Sequence, residues 1–224
     1  MSTSRAPRNT LTRDRVVAGA VDLADQEGLD ALTIRALAAR LGVRPMALYH
    51  HVAHKEAILD AIVDAVFAEV HVPTATGRWR DELAHRSRSM RAALGRHPWA
   101  VALMETRAHP GRASLANHEA VLAVLSAAGF ALPAAGHAYA VLDAYVYGFA
   151  LQEAMLASVD LEGSAEDLVS GMDLADFPRL AEFAAGHATV PGYAFGDSFE
   201  VGLRIVLDGL EELRTDPGQG TGPA

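Results

Sequence analysis

The side chains best suited to chemistry lie close together between Arg44 and Lys55, in the run RPMALYHHVAHK. An arginine at the start of a short helix can reach guanine edges or phosphate, and Tyr49 and His51 can donate hydrogen bonds to phosphate oxygens. Ala47 is small enough to let a helix approach base edges closely. At the start of the next helix, the charge of Lys55 and the free backbone amides both favour a phosphate. These residue types predict contact with nucleic acid.

Two short helices must position this run. Thr12 is a suitable N-cap for the preceding helix and Thr33 for the first of these two. Ile34, Leu37, Ala38 and Leu41 repeat at helical spacing before Gly42. Ala38 and Gly42 lie four residues apart, which gives a small residue at a helix crossing and a turn residue that tolerates positive φ. The pattern predicts a helix-turn-helix. An ordinary three-helix head without DNA binding fits the same pattern, because short helices joined by glycine are common.

Helical spacing continues along most of the chain, and no strand pattern of useful length interrupts it. We predict an all-α fold with a three-helix N-terminal head and a larger C-terminal helical body. The predicted helices in the body span 55–70, 79–96, 98–107, 112–128, 133–157, 174–186 and 195–214. The predicted domains are a disordered arm at 1–10, a DNA-binding head at 11–54, an effector-binding and dimerisation domain at 55–214 with 55–70 as its connector, and a disordered tail at 215–224. The acidic stretch 158–173 is predicted to be a mobile loop.

Charge is distributed unevenly between these parts. The whole chain carries a net charge of −9. Residues 1–55 hold 8 Lys and Arg against 5 Asp and Glu, and the remainder holds 11 against 23. A basic end on an acidic body indicates that only the end meets phosphate.

The sequence also limits location. There are no cysteines, which excludes disulfide scaffolds and thiolate metal sites. No apolar stretch resembles a signal peptide or a membrane span, so we expect a cytoplasmic protein without a membrane partner.

The segment LTIRALAARLGVRPMALYHHVAHKEAILDAI (32–62) resembles the DNA-binding domain of TetR-type regulators, and LYHHV followed by K-E-x-I-L is its most specific part. The resemblance implies a homodimer that binds a double-stranded, palindromic operator. By matched position, the implied DNA contacts are Arg35, Arg44, Pro45, Met46, Ala47, Tyr49, His50, His51 and Lys55. The start Arg44–Pro45–Met46 differs from the commoner small polar residues, so the base preference does not carry over.

The remainder resembles the tetracycline-repressor subgroup. The matching segments, in the family's order, are 79–97, 105–107, 128–130, 177–186 and 195–213. The resemblance implies release from the operator when a small molecule enters the body. It also implies that the apolar helix at 133–157 and the amphipathic last helix pack against their symmetry mates. Pattern alone does not separate such an interface from ordinary core within one chain.

Polar side chains among the apolar helices of the body are candidates for orienting a ligand. His71 also matches a pocket position in the tetracycline repressors. The candidate polar contacts are His71, Arg86, His109, His118, Tyr139, Asp143 and Tyr147. A lone histidine is more often simply solvated or satisfied within the fold, and that alternative stays open for each one.

Two departures from the tetracycline repressors argue against a tetracycline–magnesium complex. Leu103 stands where the resemblance expects a metal-binding histidine, and Gln152 stands where it expects a glutamate. A hard cation needs oxygen-rich or imidazole ligands there. We therefore predict no metal and no cofactor, and a largely apolar effector contacted by Met90, Leu103, Met104, Val121 and Tyr147.

Other classes of function have less support. An enzyme is disfavoured because no nucleophile elbow, H-E-x-x-H motif or phosphate loop is present, and His118–Glu119 lacks a second histidine at metal spacing. A helical protein–protein adaptor that has lost DNA binding remains an alternative, since the body is acidic. Activation instead of repression is also compatible with the sequence.

Overall fold

The computed structural model describes residues 11–104, 106–107, 109–158, 172–188, 190 and 194–215. These residues form helices and turns, and they contain no strand, so the predicted all-α fold is confirmed. They group into two compact units, Met1–Gly129 and Phe130–Ala224. The predicted arm, nearly all of the predicted tail and most of the predicted loop at 158–173 lie outside the described residues. In the part of the chain described, no helix is both long and apolar enough to cross a bilayer.

Seven α-helices form the described part of the first unit. They are α1 (Arg13–Glu27), α2 (Ile34–Leu41), α3 (Pro45–Leu48), α4 (Lys55–Ala68), α5 (Trp79–Arg96), α6 (Ala100–Met104) and α7 (Arg112–Ala127). The first three form the head, and α4 packs against α1, α5, α6 and α7. One helix is therefore in contact with both the head and the rest of this unit.

Side-chain caps fix the ends of the first helices as the sequence predicts. The hydroxyl of Thr12 accepts a hydrogen bond from the Arg15 backbone N–H at 3.2 Å, and that of Thr33 accepts one from Ala36 at 3.1 Å. Gly42 ends α2 with φ of 67°, a left-handed conformation that glycine adopts without steric cost. This turn redirects the chain into α3.

The head has a small apolar core. Leu37, Ala38 and Leu48 are completely buried where α2 meets α3. A side chain at Gly19 of α1 would lie within 2.8 Å of Leu41 Cδ2, so the glycine lets α1 and α2 approach closely. This core holds the buried side of α3 in place and leaves the other sides of that helix exposed to solvent.

The second unit is built on α8 (Leu132–Ser158), α9 (Pro178–Phe183) and α10 (Ser198–Thr215). A π-helical turn, Ala184–Ala188, follows α9, and a 3-10 turn, Phe195–Asp197, precedes α10. An aromatic cluster joins α8 to α10, with the ring of Phe199 5.5 Å from Tyr145 and 5.2 Å from Phe149. The Tyr145 hydroxyl donates to the Phe199 carbonyl at 2.7 Å.

Two predicted helices are shorter than expected. The helix predicted at 98–107 is limited to Ala100–Met104, because the chain turns at Thr106, whose hydroxyl donates to the Leu103 carbonyl at 3.0 Å. The helix predicted at 174–186 begins at Pro178, a favoured first-turn residue, and passes into the π-helical turn.

Candidate nucleic-acid interface and ligand site

The predicted DNA contacts share one structural property, which is that none of them is buried. Met46 is 71% exposed and Tyr49 is 44% exposed, although both are large and carry apolar surface. We use the name recognition face for the exposed or half-buried side chains Arg35, Arg44, Pro45, Met46, Ala47, Tyr49, His50, His51 and Lys55. An exposed methionine next to cationic and hydroxyl groups suits a surface that meets both bases and phosphates.

Several cationic groups of this face are not used within the fold. Among the described residues, the side chains of Arg44, His50 and Lys55 make no hydrogen bond or ion pair. Arg40 differs, because its guanidinium donates to Gln26 at 2.5 Å and thus links α2 to α1. The recognition face therefore keeps its charge available for a partner.

His54 is a structural residue that sequence reasoning missed. Its Nδ1 accepts a hydrogen bond from the Ala57 backbone N–H at 3.1 Å and caps α4. Histidine is an uncommon N-cap, but its position directly before Lys55 and the apolar spacing of α4 was an available signal. The cap fixes the start of α4, where Lys55 presents its charge beside free backbone amides.

Two polar contacts attach α4 to the segment that contains α6 and α7. Nη1 of Arg107 lies 2.6 Å from Glu56 Oε2 and 3.7 Å from Asp60 Oδ1. Further along α4, the Asp64 carboxylate accepts a hydrogen bond from the Ser114 backbone N–H at 2.9 Å. Sequence reasoning missed both contacts, because they join residues about fifty positions apart.

A buried polar network links α5, α7 and the segment that follows α4. Arg86 of α5 is completely buried, and its Nε donates to Asn117 Oδ1 of α7 at 2.9 Å. The Asn117 amide donates in turn to the His71 carbonyl at 3.2 Å. The structure thus brings two predicted ligand residues, His71 and Arg86, into one network, and it adds Asn117, which sequence reasoning missed.

The imidazole of His71 lies at the edge of this network. It stacks on His85 with ring centroids 3.9 Å apart, and Nε2 lies 3.2 Å from Glu82 Oε2. The same carboxylate oxygen accepts the Thr74 backbone N–H at 2.9 Å. Hydrogen bonds from Thr74 and then from His71 lower the pKa of Glu82 below its ordinary value. A stable negative charge therefore holds the ring of His71 in place.

The apolar ligand candidates of the first unit are largely buried. Met90 and Val121 are completely buried, and Leu103 is nearly so. Met104 is half-buried. The half-buried ring of His118 packs perpendicular to the ring of Phe67, with the ring centroids 5.5 Å apart. His109 is exposed, and the structure does not bring it together with the polar network.

The remaining ligand candidates form a second polar group on α8. Asp143 is buried, and its Oδ2 accepts a hydrogen bond from the Tyr147 hydroxyl at 3.3 Å. Tyr139, one turn earlier, is half-buried. In the described residues, no group of three His, Cys, Asp or Glu side chains is placed to hold a metal ion.

Comparison with known proteins decides the family. Residues 16–62 match the model for bacterial regulatory proteins of the tetR family, and residues 73–214 match that for the tetracyclin repressor-like C-terminal domain. The chain belongs to the TetR family. It is a ligand-responsive, DNA-binding transcriptional repressor.

Individual TetR-family relatives cover nearly the whole chain. A regulator from Saccharopolyspora erythraea, named as an HTH-type transcriptional regulator, is 36% identical over 89% of this chain and 84% of its own length. The class A tetracycline repressor from transposon 1721 of Escherichia coli is 34% identical over 91% and 92%. The names of these relatives describe a transcriptional regulator and a repressor.

A solved TetR-family structure has the same fold. ActR from Streptomyces coelicolor, in its complex with actinorhodin, superposes with a TM-score of 0.76 at 27% identity. The match covers 92% of this chain and all of that one.

Proposed function

We propose that this repressor binds its operator by inserting α3 and the turn that follows it into the major groove. The exposed recognition face on a fully buried head core is the observation that carries the proposal. Arg44 at the start of α3 is within reach of guanine edges, and Ala47 permits close approach. Tyr49, His51 and Lys55 bind phosphates on either side, which fixes the position of the head along the groove.

We further propose that the repressor is a homodimer that uses an exposed stripe on α8. Val141, Ala144, Gly148, Leu151 and Met155 alternate by three and four residues, and all five are exposed or half-exposed in the single chain. This spacing places them on one side of the helix, as in paired helices. The family resemblance implies that α8 packs against its symmetry mate, and a second copy would cover this stripe.

The last helix adds apolar surface of its own. Ile205 of α10 is 64% exposed, and Val201 lies one turn before it. Two-fold pairing through such faces gives an isologous dimer, and its two heads would read half-sites about 34 Å apart on a palindromic operator. Because the proposed operator is DNA, we place the protein in the cytoplasm.

For the effector, we propose a small and largely apolar molecule that needs no metal. Leu103 is apolar and nearly buried where the tetracycline repressors have a metal-binding histidine, and Met90 and Val121 are also apolar. The polar network of Arg86, Asn117 and His71 would orient the ligand through its few polar atoms. Within the second unit, Tyr139, Asp143 and Tyr147 remain candidates for ligand contact in their own right.

Release is proposed to act through α4. This helix begins at the head and is attached to the rest of the first unit by Arg107 and by Asp64. An effector that binds better to a state in which α6 and α7 are displaced would move these attachments and with them the head. Only such a difference in affinity between the two states can lower operator occupancy.

Selection from a random duplex library tests the proposal directly. The purified full chain should enrich a palindromic sequence, and binding to it should weaken steeply as salt rises, because phosphate contacts release counterions. Enrichment of no sequence at low salt by a folded protein would contradict DNA recognition and would favour the adaptor. The selected duplex then serves as the operator in later tests.

A further inference from the structure

His97 lies where three helices of the first unit meet. It follows the last residue of α5, and its side chain is only 8% exposed. Nδ1 lies 2.8 Å from Asp25 Oδ1 of α1, and Nε2 lies 3.1 Å from Glu69 Oε1 at the end of α4. One imidazole thus connects the head helix α1 with the ends of α4 and α5. We call His97 and these two carboxylates the imidazole brace.

The chemistry of the partners determines which form of the ring completes the brace. A charged carboxylate oxygen can only accept a hydrogen bond, so each ring nitrogen needs its own hydrogen to make its contact. A neutral imidazole carries one N–H and satisfies one carboxylate. Only the imidazolium form donates to Asp25 and Glu69 together, and its charge strengthens both bonds.

The groups around the brace balance this charge. Arg96 of α5 donates to Glu69 Oε2 from Nε at 3.1 Å and from Nη2 at 2.5 Å. The indole N–H of Trp99 donates to Asp25 Oδ1 at 2.6 Å. Although partial burial of Glu69 works against its charged form, hydrogen bonds from Arg96 and His97 lower the pKa of Glu69 below its ordinary value. When His97 is an imidazolium, the two cations His97 and Arg96 face the two anions Asp25 and Glu69.

We infer that His97 is a positioning residue for DNA binding, whose protonated ring holds α1 of the head against the ends of α4 and α5. This inference rests on the proposed function, because it concerns the orientation of the head toward an operator. Loss of the proton removes one of the two contacts. A head held less firmly occupies its binding-competent orientation for a smaller fraction of the time. The apparent Kd equals the intrinsic Kd divided by that fraction, so it rises. Operator affinity should therefore fall as pH rises.

The test compares the full-length wild type with His97→Gln on the selected duplex. Glutamine has no group that gains or loses a proton in this range, so its hydrogen bonds do not change with pH. The wild type should bind about tenfold more tightly than His97→Gln near pH 6, and the advantage should shrink below about twofold near pH 8.5. His50 and His51 of the recognition face are present in both proteins, so their contribution to binding is common to both and cancels in the ratio.

Two further variants separate positioning from general stability. Trp99→Phe removes the indole hydrogen bond to the same Asp25 carboxylate. This bond does not depend on the protonation of a histidine, so its loss should weaken binding by the same factor at both pH values. His187→Gln replaces an exposed histidine of the second unit and should follow the wild-type profile. Parallel pH profiles for His97→Gln and the wild type would overturn the inference.

A measurement without DNA distinguishes failure of the brace from failure of the proposed function. In the nitrogen-15 NMR spectrum of the wild type near pH 6, both ring nitrogens of His97 should carry a hydrogen. A ring with a single N–H at that pH would overturn the brace whatever the DNA result. A doubly protonated ring in a protein that selects no duplex would instead contradict the proposed function and leave the brace standing.

Discussion

Asp64 in the middle of α4 accepts a hydrogen bond from the backbone N–H of Ser114 in the first turn of α7, at a distance of 2.9 Å. A carboxylate at the start of a helix satisfies a free amide and is favoured by the helix dipole. Here the carboxylate comes from another helix, fifty residues away in sequence. The cap of α7 is therefore also an attachment point for α4.

Gly111 makes this contact possible, and Gly111→Ala tests it. A Cβ atom at this position would lie 2.1 Å from Asp64 Cγ, so the carboxylate must move and the cap is lost. We expect about 1 kcal/mol of destabilisation, seen as a fall in Tm of about 2–4 °C. Gly95→Ala in α5 is the matched control, since its Cβ meets no described atom within 4 Å, and its Tm should hold or rise. An unchanged Tm for Gly111→Ala would contradict the cap.

The buried network predicts a larger loss for Asn117→Ala. This change removes the acceptor of the Arg86 Nε–H and the donor to the His71 carbonyl, and no solvent reaches that position to replace them. We expect about 2 kcal/mol of destabilisation in chemical denaturation. Leu115→Ala on the exposed side of the same helix should stay within about 0.5 kcal/mol of the wild type. Equal effects of the two substitutions would show that the network does not stabilise the fold.

The lowered pKa of Glu82 predicts how stability depends on pH. Its partners, Thr74 and His71, favour the charged carboxylate, so folding is stabilised above the ordinary pKa of a glutamate. That contribution is lost as pH falls through the lowered pKa. Glu82→Gln should have a lower Tm than the wild type at pH 7. Plotted against pH, the Tm values of the two proteins should converge below about pH 4. A constant difference across this range would mean that the charge of Glu82 is not involved.

The proposed dimer predicts that charge on the α8 stripe dissociates it. In Val141→Glu/Leu151→Glu, four carboxylates would face one another across the two-fold axis without compensation. Sedimentation should show a dimer for the wild type and a monomer for the double variant. Leu115→Glu, which places charge on an exposed leucine of α7, should remain dimeric. A double variant that remains dimeric would show that the dimer interface lies elsewhere.

The sequence predicted local features well and long-range contacts poorly. The caps at Thr12 and Thr33 and the left-handed turn at Gly42 depend on residues within a few positions, and the structure confirms them. The fold class followed from helical spacing for the same reason.

The polar contacts between helices had no such signal. Asp25, Asp64 and Arg107 look like ordinary surface charges in the sequence, yet each pairs with a residue about fifty or more positions away. Their roles depend on how helices cross, which hydrophobic spacing does not specify in detail. The buried Arg86 was identified only as a polar residue on an apolar helix, and its partner Asn117 was not found.

Operator binding by Arg44→Ala/Tyr49→Ala tests the central claim most directly. It should be measured on the selected duplex over a range of salt concentrations, with Arg179→Ala, an exposed arginine of the second unit, as the control. Loss of a base contact and a phosphate contact predicts at least tenfold weaker binding and a shallower salt slope for the double variant, while the control binds as the wild type does. Wild-type affinity in the double variant, with an unchanged salt slope, would contradict the assignment of α3 as the recognition helix.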